Sequence, residues 1–161
     1  MIGKSKARMR LCVALLIVNL AFIWGNSLLP ASASDALSRW VRDVLGAVFP
    51  GGSQGGDRGH GFLRKLAHFC EFCTLGGLLA WLYGMQRKTW RRAAVSSIGC
   101  AAAAACWDET IQIVSPGRSP SILDVGLDTA GAAVGITVLW TGYMIYKKRK
   151  MNDTTNGGKQ Q

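Results

Sequence analysis

Trp107-Asp-Glu-Thr-Ile-Gln-Ile-Val-Ser-Pro-Gly-Arg118 decides how this chain is read. It puts two acids and an amide at the end of one apolar stretch and an arginine in the turn that follows. Two more acids, Asp124 and Asp128, lie at the start of the next apolar stretch. An acid at the centre of a bilayer costs about 2.5–3.5 kcal/mol on insertion scales, so such a residue usually faces protein or water and usually serves a function. The flanking sequence has membrane-spanning length. Hydrophobic residues make up 49% of the 161 and gather in four blocks, 11–29, 66–83, 93–114 and 122–146. Each block is near or above the ~18–20 residues that cross about 30 Å of hydrocarbon. The third is rich in Ala, Gly and Ser and is interrupted by Asp108 and Glu109, so it reads as a helix that faces other helices rather than lipid.

The net charge of +10 could suggest a nucleic-acid partner, but its distribution argues against one. Lys4, Lys6, Arg8 and Arg10 precede the first block. Arg87, Lys88, Arg91 and Arg92 separate the second from the third, and Lys147, Lys148, Arg149, Lys150 and Lys159 follow the fourth. If the blocks alternate across a membrane, all of these lie on one side, and only Arg39, Arg42, Arg58, Arg64, Lys65 and Arg118 lie on the other. That is the positive-inside pattern. It predicts a multi-pass plasma-membrane protein with both termini cytoplasmic and no nucleic-acid partner.

The expected fold class is all-α: a polytopic membrane protein with four transmembrane helices and a short outer interfacial amphipathic helix. The amphipathic element is 34–49, where Leu37, Trp40, Val41, Val44, Leu45 and Val48 recur at helical spacing opposite Ser38, Arg39, Arg42 and Asp43. Residues 1–150 form one transmembrane domain, and the polar segment 151–161 reads as a disordered cytoplasmic tail. The glycine-rich stretch 50–61 reads as a flexible loop. The basic start, the apolar run and Ala31-Ser32-Ala33 also have the look of a cleavable signal peptide. The run is long for one and long enough to span, so the segment is read as the first helix. Cys70-x-x-Cys73 has redox spacing, but all five cysteines fall in apolar blocks and read as small buried hydrophobes.

This orientation places the polar residues. The second helix runs inward, so Lys65, His68 and Glu71 occupy its outer end, roughly on one face. The third runs outward and ends on Asp108, Glu109 and Gln112. Arg118 lies in the outer turn, and Asp124 and Asp128 open the fourth helix. Three segments therefore deliver ionisable groups to one leaflet. Each group also has a plainer role. Ser121-x-x-Asp124 fits a capping box, Lys65 can reach the headgroups, Asp108 or Glu109 can pair with Arg118, and His68 can be a hydrogen-bonded core histidine. Glu71 and Asp128 lie deeper and are harder to explain that way. Gly131 and Gly135 form a Gly-x-x-x-Gly step suited to close helix packing.

A histidine among several acids suits general acid–base chemistry or a divalent metal. An arginine and a lysine beside them suit a phosphate or carboxylate. Glu71, His68, Asp108, Glu109 and Asp128 are therefore the candidate catalytic groups. Lys65, Gln112, Arg118 and Asp124 are the candidate binding groups. No cofactor is identified by motif: there is no nucleophile elbow, His-Glu-x-x-His or Walker loop.

Lys65-Leu-Ala-His68-Phe69-Cys-Glu71-Phe72 resembles the first conserved segment of the VanZ-like family of membrane proteins. Asp108-Glu109-x-x-Gln112, Pro116-Gly117-Arg118 and Asp124-Val125-x-x-Asp128-x-x-Gly131-x-x-x-Gly135 resemble the second. The resemblance covers about residues 10–146. Phe72 departs from the tyrosine usual there, so a role needing that hydroxyl does not carry over. The resemblance implies a link to susceptibility to teicoplanin-type glycopeptides, with a lipid-linked envelope precursor or the glycopeptide as ligand beside the lipid bilayer. An enzyme acting on a lipid-linked phosphate or headgroup is the alternative. Whether the chain is an enzyme stays open at this stage. A transporter is least favoured, because nothing suggests duplicated halves or a broken helix.

Overall fold

The computed structural model describes residues 2–34, 36, 39–40, 58–86 and 89–157. They form four long helices: α1 (Ile2–Leu28), α2 (Arg58–Gln86), α3 (Trp90–Gln112) and α4 (Ile122–Gly157). No strand occurs among the described residues. The expected amphipathic helix at 34–49 lies largely outside them.

Three helices are long and apolar enough to cross a membrane, through Ser5–Leu28, Phe62–Gln86 and Ile122–Asn152. α3 is long enough but less apolar, as its Ala-rich composition foretold. α1 ends just before Pro30, which lacks the N–H to continue a helix and disfavours helical geometry at the residue before it. α2 begins at Arg58, so part of the expected 50–61 loop is helical. α4 runs on through Met151–Gly157, so the first part of the segment expected to be a disordered tail is helical too.

The exposure pattern is that of a protein in lipid. Ile17 and Val18 are 63% and 67% exposed, while Ser27, Ser97, Asp108, Glu109, Gln112 and Asp128 are buried. A water-soluble bundle would reverse this, because apolar area in water is unfavourable by roughly 25 cal/mol per Å². The small apolar core joins Cys12, Leu16 and Ile23 of α1 to Phe72 and Leu75 of α2 and Ala105 of α3.

Small residues set the helix spacing. On α3 the buried stripe is Ala93, Ser97, Ala101 and Ala105, recurring every four residues and continuing into Asp108 and Gln112. The face that packs is therefore the face that carries acid and amide inward. The most extensive contact is α2 with α4. There a Cβ at Gly131 would stand 2.5 Å from the Phe69 carbonyl oxygen, and one at Gly135 would overlap the Cys73 carbonyl. Gly76 likewise abuts the Ala132 backbone.

These contacts also fix direction. Residue 69 meets 131 and 73 meets 135, so α2 and α4 run parallel. Cys12 Sγ donates to the Leu78 carbonyl, while Asn26 reaches Glu71, so α1 and α2 run antiparallel. Trp90 of α3 stacks on Trp140 of α4, with ring centroids 6.0 Å apart, while Glu109 meets Ser121 at the other end. The helices thus alternate up and down, and the C-terminal ends of α1 and α3 share one end of the bundle with the N-terminal halves of α2 and α4.

Candidate functional site

That shared end carries all the candidate polar residues. The deepest is Asp108, with no exposed surface. Its Oδ2 accepts from Ser27 Oγ at 2.8 Å and from Gln112 Nε2 at 3.0 Å, while its Oδ1 is buried without a hydrogen-bond partner among the described residues. Asp128, only 2% exposed, comes from α4, which packs against both α2 and α3. His68 completes the group: one donor atom from each of His68, Asp108 and Asp128 lies within 4.8 Å of the others. Two carboxylates that close repel by roughly 3 kcal/mol or more at an effective dielectric of about 20. A positive charge or shared protons between them would relieve this.

Glu71 stands beside His68. Its Oε1 accepts from Asn26 Nδ2 at 2.8 Å. Its Oε2 lies 3.4 Å from His68 Nδ1, close enough to attract a charged imidazole but too poorly aligned for a hydrogen bond, so both atoms lack a hydrogen-bond partner among the described residues. Glu109 shares the Gln112 amide with Asp108 but is otherwise held from the start of α4. Its Oε1 accepts from Gln112 at 3.2 Å and its Oε2 from the Ser121 backbone N–H at 2.6 Å. The N-terminus of α4 is therefore capped from α3, and the Ser121-x-x-Asp124 capping box does not form in the expected sense. Asp124 instead pairs with Lys65 at the rim, where both are partly exposed. Arg118 is half-buried and donates from Nη2 to the Asn26 carbonyl at 2.9 Å.

The turn 113–121 is sewn onto the end of α1. Ser115 Oγ donates to the Ser27 carbonyl at 2.7 Å, and the Ala31 N–H donates to the Pro116 carbonyl at 3.1 Å. Gly117 there has φ +76, a left-handed conformation in which a side chain would be strained, and a Cβ would also press on Ala31. A cleft opens between α2, α3 and α4, lined by Arg64, Lys65, His68, Glu109, Gln112, Asp124, Leu127 and Asp128. Cations stand on its wall beside buried acids, an arrangement able to hold an anion and a hydroxyl or amine donor together.

Sequence reasoning missed Asn26, Ser27 and Ser115. The signal was present: Asn26-Ser27 is a polar pair closing the first apolar block, at the end that alternation assigns to the acids. Gly131 and Gly135 lie below the cleft and touch backbone, so their place is structural. The described cysteines are free thiols. Cys73 contributes its carbonyl to the contact with α4, and Cys70 is exposed.

No curated protein and no solved structure matches the chain. The VanZ/LLP1 family model matches residues 10–146, which include all four helices' packed parts and every residue of the cleft, and the chain belongs to that family.

Proposed function

We propose that this is a four-span plasma-membrane protein, both termini cytoplasmic, whose outward-facing cleft binds the headgroup of a lipid-linked envelope component. Binding there alters envelope properties and so susceptibility to teicoplanin-type glycopeptides. The observation that carries this reading is the cleft itself. Arg64 and Lys65 lie on its wall to meet a phosphate, and Asp124 at the rim and Glu109 and Asp128 deeper in offer acceptors to hydroxyl or amine groups. α3, although less apolar, serves as the third span because its buried stripe packs against its neighbours. The basic clusters between α2 and α3 and after α4 then share the cytoplasmic side.

The test is binding of a polyprenyl phosphate, with the matching polyprenol as control, to purified protein in detergent. Binding of the phosphate alone, weakened by Arg64→Gln and Lys65→Gln, supports the reading. Equal binding of the alcohol, or no binding of either, rejects it. A second reading, an enzyme acting on such a headgroup, is favoured by His68 standing with Asp108 and Asp128. Under it, Glu71→Gln and Asp128→Asn abolish the susceptibility phenotype at unchanged expression. A phenotype lost only with bulky replacements excludes it.

A further inference from the structure

Four features at the base of the cleft point to a ligand of their own. First, the donor atoms of His68, Asp108 and Asp128, from three helices, converge within 4.8 Å. Second, Asp108 is completely buried, yet its Oδ1 has no hydrogen-bond partner among the described residues. Buried carboxylate oxygens are normally satisfied, and an orphan calls for an unseen ion or water. Third, Ser27 and Gln112 both donate to the other oxygen, Oδ2. They hold the carboxylate in one orientation and leave Oδ1 without a donor of its own, as outer-shell donors do around a ligating carboxylate. Fourth, Glu71 lies 3.4 Å from His68 Nδ1, near enough that a small side-chain rotation would let it orient a ligating imidazole as an outer carboxylate commonly does.

We propose that His68, Asp108 and Asp128 hold a divalent cation at the base of the cleft. One imidazole and two carboxylates form a mixed nitrogen–oxygen set that suits Mn²⁺ or Zn²⁺ better than a soft metal. Three protein ligands leave coordination positions open, as in sites that act on a ligand rather than in closed structural sites. Neighbouring ligands of one ion at about 2.1 Å stand roughly 3.0–3.4 Å apart, so the cluster contracts on binding by side-chain rotation. The cation offsets the mutual repulsion of the carboxylates and offers its free positions to an oxygen of whatever occupies the cleft. The inference does not rest on the headgroup reading, because the ion is tested without any lipid-linked ligand.

The experiment is titration of purified, chelator-treated protein in detergent with Mn²⁺, followed by the loss of the free-ion electron paramagnetic resonance signal, and with Zn²⁺ by calorimetry. One saturable site per chain is expected, weakened about tenfold or more in both Asp128→Asn and His68→Gln. Asp124→Asn, which alters an acid at the rim outside the triad, weakens binding less than either triad variant, and Ser97→Ala, which alters a buried hydroxyl outside the cleft, retains wild-type affinity. Helical circular dichroism and gel-filtration profiles confirm that the variants are folded, and the two triad variants remove ligands from different helices. The proposal is overturned by no saturable binding of either ion up to about 1 mM. It is equally overturned if both triad variants bind like wild type. Weakening in Asp124→Asn as large as in Asp128→Asn also rejects it, because the ion would then respond to diffuse negative charge.

Discussion

Alanine at Gly131 tests the α2–α4 register on which the whole cleft depends. Its Cβ would stand 2.5 Å from the Phe69 carbonyl oxygen, where ordinary contact begins at 3.4 Å. The obstacle is helix backbone and cannot rotate away, so the helices must part by roughly 1 Å along the contact. A gap of that size forfeits about a quarter to a half of the dispersion energy of the atoms facing it. Overpacking of this kind costs about 1–3 kcal/mol. It is partly offset by the helix preference of alanine over glycine, worth up to about 1 kcal/mol. Gly142, on the same helix, has nothing within 4 Å of its missing Cβ, so Gly142→Ala keeps the propensity gain without the clash. The two variants should differ by about 1–3 kcal/mol in unfolding of purified protein by sodium dodecyl sulfate in mixed micelles, with Gly131→Ala the less stable. If Gly131→Ala is as stable as Gly142→Ala, the register is wrong, and the meeting of His68 with Asp128 loses its support.

Ser27→Ala removes one of the two donors to Asp108 Oδ2 and should lower stability by about 1–3 kcal/mol in the same assay; an unchanged unfolding midpoint refutes the bond. Lys65→Ala breaks an ion pair whose members are 46% and 23% exposed, and should change stability by no more than about 1 kcal/mol. In a cysteine-free background on intact cells, single cysteines at Ser53 and Ser119 should react with an impermeant thiol reagent, and those at Thr89 and Asn152 should not. Ser53 and Ser119 reacting from opposite sides would refute the topology. Asn26 makes a poor outer probe, because it is half-buried and bonded to Glu71.

The apolar blocks, the basic clusters and the spacing of acids on each helix are local properties. They are enough for an all-α chain with membrane-length helices, for the family, and for gathering Lys65, His68, Glu71, Asp108, Glu109, Gln112, Arg118, Asp124 and Asp128 at one end, because alternating helices leave few other arrangements. Sequence by itself could not say which groups touch. Asp124 could cap its own helix or pair with Lys65, and Glu109 could pair with Arg118 or cap α4. Within the fold, Glu109 takes the Ser121 N–H and leaves Asp124 to Lys65. Asn26 and Ser27 looked like the tail of an apolar block until α1 packed beside α2 and α3 and gave them Glu71 and Asp108 as acceptors. Helix direction is written in charge and hydropathy, but rotation and register depend on where backbone meets backbone. Here the glycines of α2 and α4 and the alanine stripe of α3 set those distances, and so decided that His68, Asp108 and Asp128 stand together while Glu109 and Asp124, in the same cleft, take Ser121 and Lys65 as partners.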